Sequence, residues 1–272
     1  MPSKRFAASI IVPLLDQRDD WLEQSLRSAL TQTVPCEVIV VHAPKTRQSN
    51  LHLIARLRDQ FDGLLRSARQ PIPGFAAALN FGIDLASADR VGLLMSDDWL
   101  DREAVALCVK HESDIVSTGQ TSYATDGVTV LPEVSAIPNP RGFERRKHLD
   151  QRASYLSHFF LFRRDRLKAI GGADETLGDF PGIDDFDMVW VLLERGASVG
   201  IVQRSLYNYR DHEGERLTLR DPADAIAGLE RILRKHNVTE ADRARIMAAH
   251  TPWYGEPVHR ANQRRKSRAG AA

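Results

Sequence analysis

The chain has 272 residues, with 37 basic against 36 acidic side chains and a formal net charge of +1. That length suits one medium domain with a sizeable core, and the near-zero balance excludes a protein whose main partner is nucleic acid. No run of 18 apolar residues exists, which excludes a transmembrane helix, and Cys36 and Cys108, outside any CxxC spacing, exclude a disulfide scaffold or a cysteine-rich zinc centre.

Lys4 and Arg5 precede an apolar stretch, Phe6 to Leu15, that imitates a secretory leader. It runs into Asp16, Arg18, Asp19 and Asp20 with no cleavage pattern, so it reads as a buried strand. Ser9 to Val12, closed by Pro13, is its β-branched centre. Asp20 is placed to cap the next helix, with Glu23 at capping-box spacing and Trp21, Leu22, Leu26, Ala29 and Leu30 on one face. Glu37 to Val41 is a second strand. Ser49 is expected to cap a helix carrying Ile54, Leu57 and Phe61, ended by Gly63. A helix from Phe75 to Ala86 leads to a strand, Val91 to Met95, that ends on polar residues. This alternation predicts an open α/β sheet, whose ligands collect at the carboxyl ends of its strands.

Further on, Asp126-Gly127 between Ser122–Thr125 and Val128–Leu131 signals a hairpin, and residues 132 to 150, rich in Pro, Arg and Gly, read as a loop. Ser157 to Phe162 is strand-like, followed by a short helix from Asp165 to Gly171-Gly172. A helix from Asp184 to Arg195 precedes the strand Ser198 to Val202. Asp221-Pro222 opens a helix to His236, and Thr239 caps another to His250. Residues 251 to 272, with little apolar content, are expected to be frayed. The organisation that follows is a domain over 1–218, helices over 219–250 packed on it, and a flexible basic tail over 251–272.

Chemistry concentrates in three places. Leu93-Leu94-Met95-Ser96-Asp97-Asp98 delivers adjacent carboxylates at a strand's carboxyl end, suited to Mg²⁺ or Mn²⁺ shared with phosphates, or to capping the helix near Arg102. Asp184-Asp185-Phe186-Asp187 follows the loop Gly178 to Gly182; the acids suit a helix N-terminus, and one facing a cleft suits a general base. Tyr207 to His212 follows a strand, and its histidine reads as structural or as a ligand. No GxxxxGK, GxGxxG, GxSxG or complete HExxH motif occurs.

The ordered set resembles the family 2 glycosyltransferases. Ser9 to Pro13 and the helix to Gln32 look like their opening strand and helix, Glu37 to Val41 like their second strand, and Gly74 to Ile83 like the helix before their metal motif. Ser96-Asp97-Asp98 occupies the metal position, Ala169 to Glu175 resembles the acceptor-side turn, Asp184-Asp185 the catalytic acidic pair, and Tyr209-Arg210-Asp211-His212 the late Tyr-Arg-x-His element. The resemblance spans residues 7 to 218. It implies a GT-A fold, a Rossmann-like, mostly parallel α/β sheet flanked by helices, here with a helical C-terminal appendage.

The resemblance also implies inverting, metal-dependent transfer from a nucleotide sugar to a saccharide or lipid-linked acceptor, in polysaccharide or glycoconjugate synthesis. On that basis Asp98, Asp97 and His212 hold Mn²⁺ or Mg²⁺, Asp185 is the base, and Asp184 orients the acceptor. Pro13, Leu15, Asp16, His42, Asn80 and Asp97 line the donor site. The acceptor is expected between the 132–150 loop, the 178–185 loop and the C-terminal helices. Three positions depart from the family: Met95 replaces the first metal-site acid, the second strand ends His42-Ala43-Pro44 without an acid, and Leu14-Leu15 replaces an aromatic residue. These keep open a second expectation, an inactive nucleotide-sugar-binding or assembly module. A cytoplasmic protein is expected; Arg141, Arg145, Arg146 and Lys147 and the basic stretch Arg260 to Arg268 read as a solvated loop and tail, or as contacts with an anionic membrane.

Overall fold

The computed structural model describes residues 6–177, 184–213 and 221–269. The loop Gly178 to Gly182, Lys4, Arg5 and Gly214 to Arg216 lie outside them, as does the side chain of Asp184.

In chain order the elements are β1 (Ala8–Leu14), α1 (Asp19–Leu30), β2 (Cys36–His42), α2 (Gln48–Gln60), β3 (Leu65–Arg69), α3 (Phe75–Leu85) and β4 (Arg90–Leu93). Then come β5 (Trp99–Leu100), α4 (Ala104–Cys108), β6 (Ile115–Tyr123), α5 (Pro140–Glu144), α6 (Leu149–Tyr155), β7 (Ser157–Arg163) and α7 (Arg164–Ile170). The chain continues with α8 (Asp184–Glu194), β8 (Val199–Arg210), α9 (Pro222–Lys235), α10 (Glu240–His250) and α11 (Val258–Ala269).

One eight-stranded sheet runs β3-β2-β1-β4-β7-β6-β8-β5. The strands β3, β2, β1 and β4 are mutually parallel, with Ile10 opposite Val38 and Gly92. Beyond β4 the sheet is mixed: β7 is antiparallel to β4 and β6, β6 is parallel to β8, and β5 is antiparallel to β8. Every residue of β1 is buried, because helices cover both faces of the sheet. Ile10, Val12, Val38 and Val40 share a core with Leu22 and Leu26 of α1 and Leu53 and Leu57 of α2. Ile11, Ile39 and Val41 face Leu79 and Ile83 of α3, Met188 and Leu192 of α8, and Leu229 and Ile232 of α9. A buried acid closes the end of the sheet away from the strands' carboxyl termini. Glu37 Oε2 accepts hydrogen bonds from the Ser9 hydroxyl at 2.6 Å and from the Ser87 amide and hydroxyl, both at 2.9 Å.

Several local expectations are corrected. Helix α1 begins at Asp19 without a side-chain cap, and Asp20 pairs instead with Arg18 at 2.7 Å, so neither the Asp20 cap nor its capping box forms. Ser49 lies within the first turn of α2 and donates to Asp19 Oδ1 at 3.0 Å instead of capping. Asp221 and Thr239 do cap α9 and α10, accepting from the Ala223 and Asp242 amides at 2.9 and 3.3 Å. The Asp126-Gly127 turn forms, and Val128–Leu131 pairs back as expected, through the Tyr123–Val130 bridge and the hydrogen bonds Ala124 N–H to the Thr129 carbonyl and Leu131 N–H to the Ser122 carbonyl, at 2.8 and 2.7 Å. The 132–150 stretch contains α5 and the start of α6. Strand β8 runs well past Val202 to Arg210.

The largest correction is at the C-terminus. Residues 258–269 form α11, seated by the buried Ala261 and by an Asn262 Nδ2 hydrogen bond of 2.9 Å to the Glu133 carbonyl. Two of its basic residues are already paired, Arg260 with Glu213 and Arg264 with Glu256. No helix among the described residues is long and apolar enough to cross a membrane.

Burial pushes the thiols of Cys36 and Cys108 up to about 12, so neither is a thiolate at neutral pH. Native protein at pH 8 should therefore react with Ellman's reagent at well under one equivalent and release two after denaturation. Rapid native labelling at either position would contradict this packing.

Candidate active site

β1, β2 and β4 all point their carboxyl ends at one edge, and the chain leaves β4 through Ser96, Asp97 and Asp98. The two acids diverge. Asp98 is 2% exposed; its Oδ2 accepts from the Tyr207 hydroxyl at 2.6 Å and its Oδ1 from the Arg210 amide at 2.7 Å. Asp97, with 20% of its side chain exposed, faces the edge and meets His212 Nε2 at 3.0 Å. Asp98 thus serves the joint between β4 and β8, and Asp97 is the carboxylate presented outward. Neither caps a helix: α4 starts only at Ala104, without a side-chain cap. Met95 packs its side chain against the core, and its carbonyl accepts from the Ser25 hydroxyl at 2.9 Å.

Tyr207 is wholly buried, and that burial, with the Asp98 charge beside it, holds its hydroxyl protonated far above the usual phenol range. Arg210 is buried too; desolvation lowers its pKa although Asp98 and Asp97 oppose this. Its guanidinium lies between the Trp21 and Trp99 rings, 4.8 and 4.9 Å from their centroids. It donates to the carbonyls of Asp97 at 3.1 Å and Thr125 at 3.0 Å. Gly127 lies beneath it with a φ of +69°, a conformation that favours glycine, and a Cβ there would press on the Arg210 guanidinium. Arg210 is therefore a clamp on the backbone that carries Asp97.

The neighbouring loop is fixed from outside the sheet. The buried Asp211 carboxylate accepts from the Val258 and His259 amides at 3.2 and 2.9 Å, and from His259 Nδ1 at 2.8 Å. It caps α11 and so anchors His212, whose ring lies 4.6 Å from that of Trp21.

The residues expected around a donor are spread along the same edge. Pro13 is buried within β1, opposite Val41, while Leu15 is 57% exposed just beyond the strand. Asp16 pairs bidentately with Arg47, and that hydrogen bonding holds its carboxyl below the usual range. His42 ends β2 with its ring half-buried. Asn50 pins the loop after β1, accepting from the Gln17 amide at 3.0 Å and donating to its carbonyl at 2.8 Å. Asn80 is committed elsewhere. Its Oδ1 accepts from the Ala173 amide at 2.8 Å and its Nδ2 donates to the Ala173 carbonyl at 2.9 Å. This fastens α3 to the turn after α7.

Asp185, in the first turn of α8, is 24% exposed and meets His158 Nε2 at 2.9 Å. Sequence reasoning passed over His158, because a lone histidine in an apolar strand carries no spacing signal. The ring of His158 lies 5.1 Å from that of Tyr207, so the Asp185 pair and the Asp98 joint adjoin. Two residues on, Asp187 is buried and bonded to Lys235 Nζ at 2.6 Å and His236 Nε2 at 3.0 Å, with His236 stacked 4.0 Å from Trp190. Burial opposes charge on Lys235, but the hydrogen bonds to Asp174 and Asp187 outweigh it and raise its pKa.

Among the described residues, no group of three or more His, Cys, Asp or Glu side chains is placed to hold a metal ion. The pair Asp97 and His212 fits an ion that keeps its remaining positions for phosphate oxygens and water, since a hard carboxylate and an imidazole suit Mn²⁺.

The family model for glycosyl transferase family 2 matches residues 9–171. The fold is similar to S. aureus TarS 1-349 in complex with UDP-GlcNAc, with a TM-score of 0.61 and 18% identity over 90% of this chain and 72% of that one. It is also similar to the mannosyltransferase PcManGT from Pyrobaculum calidifontis in complex with GDP-Man and Mn²⁺, with a TM-score of 0.62 and 18% identity over 100% of this chain and 77% of that one. These structures show the GT-A fold. No curated protein matches the chain significantly.

Replacing Tyr207 with Phe leaves one Asp98 oxygen without its hydroxyl donor inside the core. The variant should lose about 1–3 kcal/mol of stability by urea unfolding, the cost of an unsatisfied buried group. An unchanged midpoint would show that Asp98 is not held as described.

Proposed function

Because the chain belongs to glycosyl transferase family 2, we propose that it is an inverting, metal-dependent transferase. It moves a sugar from a nucleotide-sugar donor to a hydroxyl of a saccharide or lipid-linked acceptor, in surface polysaccharide or glycoconjugate synthesis. The observation that carries this reading is the pairing of the partly exposed Asp97, at the end of β4, with the buried His212, with Asp185 on the adjoining first turn of α8. The donors named with the similar structures, UDP-GlcNAc and GDP-Man, support a nucleotide sugar on this edge.

Asp97 and His212 would hold the divalent ion, which when bound supplies Lewis-acid stabilisation of the departing diphosphate. Asp185 takes the proton of the acceptor hydroxyl as its oxygen attacks the anomeric carbon. A new carbon–oxygen bond forms there while the bond to the diphosphate breaks, and attack from the opposite side inverts the centre. Asp98 acts through Arg210 and Tyr207 by holding the strand end still. At the donor's base, Asp16 with Arg47 and His42 stand where the family's acidic residues are missing. A specific observation favours a second reading: Met95 stands where the family has its first metal-site acid and packs against the core, which suits a nucleotide-sugar-binding module without turnover.

A thermal-shift panel of nucleoside diphosphates and nucleotide sugars, with and without Mn²⁺, separates the two. One base should give a metal-dependent shift, and Asp97→Ala should remove its metal-dependent part. A wild-type manganese titration in Asp97→Ala would reject this ligand assignment, and a shift without any release of nucleoside diphosphate would favour the binding module. Asp185→Asn should keep the donor shift and lower nucleoside diphosphate release by roughly 10²-fold or more. Near-normal release would remove Asp185 from the base role.

A further inference from the structure

His158 stands second in β7, outside every motif quoted above, yet it touches the carboxylate assigned as base. Its Nε2 lies 2.9 Å from Asp185 Oδ2. Its ring is boxed by Phe160, edge-on at 4.9 Å, and by Tyr207 at 5.1 Å. Its other nitrogen, Nδ1, is buried with no hydrogen-bond partner among the described residues.

Those facts select a tautomer. A neutral imidazole has one N–H and one bare lone pair. With the hydrogen on Nδ1, a buried donor would go unsatisfied, and the Nε2 lone pair would face the lone pairs of the carboxylate. With the hydrogen on Nε2, the ring donates to Asp185 Oδ2 and only an acceptor is left unpaired, the milder defect. Aromatic walls on both sides keep the ring in that orientation. A buried ring nitrogen ordinarily finds a partner; in this partly exposed side chain Nδ1 has none among the described residues, and the same ring meets the Asp185 carboxylate.

We infer that His158 is a positioning residue for the proton transfer. It donates through Nε2–H to Asp185 Oδ2, which leaves Oδ1 to receive the acceptor's proton. This rests on Asp185 being the base. The balance is simple: the acceptor O–H bond breaks and its proton goes to Asp185 Oδ1, while the acceptor oxygen bonds the anomeric carbon. The diphosphate departs with the electron pair of the broken bond. His158 keeps its proton throughout and touches no reacting atom.

The experiment compares His158→Phe, which keeps the ring packing, with His158→Gln, which restores an N–H donor. The donor is the nucleotide sugar selected by the thermal-shift panel. His158→Phe should fold as stably as wild type and keep the donor-induced shift, while nucleoside diphosphate release falls roughly ten-fold or more, in kcat and not in donor KM. His158→Gln should regain much of the rate. In Asp185→Asn the His158→Phe change should cost nothing further, because the two act as a unit. Wild-type turnover by His158→Phe beside an inactive Asp185→Asn overturns the inference and leaves the transferase reading intact. If the wild type turns over no donor, the functional reading fails separately, and imidazole ¹⁵N spectra decide the pairing. A single Nε2–H tautomer that becomes mixed in Asp185→Ala supports it, and an unchanged spectrum rejects it.

Discussion

A buried carboxylate cannot stay ionised in a protein core unless both oxygens find donors, and Asp98 finds them on a strand from the far half of the sheet. That joint ties the end of β4 to β8. Because Asp98 points inward with both oxygens engaged, its neighbour is left to face solvent, which makes Asp97 the acid on the edge. Arg210 then repeats the principle with opposite charge. Its amide serves Asp98, while its guanidinium holds the Asp97 carbonyl and is screened by two indole rings. Removing any one of these groups strands a charge or a donor, so the arrangement behaves as a unit.

The start of α8 is built in the same way. Asp187 lies two positions beyond Asp185 and is buried between Lys235 and His236 of the C-terminal helices. Helix α8 is thus pinned close to its exposed carboxylate by a paired charge and a stacked indole. Both outward acids, Asp97 and Asp185, are placed by an inward acid one or two positions away. Such backing from outside the contact layer is what holds a reactive carboxylate to a fraction of an ångström.

The fold was legible wherever apolar residues formed runs bounded by polar turns, as in β1, β2 and α3. Capping was legible at Asp221 and Thr239 but failed at Asp20 and Ser49, where competing partners, Arg18 and Asp19, took the side chains. The length of β8 was hidden because Gln203 and Arg204 are exposed and interrupt the apolar pattern. Helix α11 was hidden because its mostly polar sequence draws its footing from Asp211 and Glu133, both far away in sequence. At the site, the acids could be read as candidates. Which of them turned inward, and that His158 would meet Asp185, depended on pairings across the sheet that no spacing encodes.

The capping of α11 by Asp211 also orders events in time. Asp211 lies 47 positions ahead of the helix whose amides it satisfies. On a ribosome, the sheet and its two carboxylates emerge well before the segment that anchors the loop bearing His212. Until 258–269 docks, the hydrogen bonds that the Val258 and His259 amides give Asp211 are not made. The loop bearing His212 is therefore fixed only after a segment 47 positions beyond Asp211 has docked.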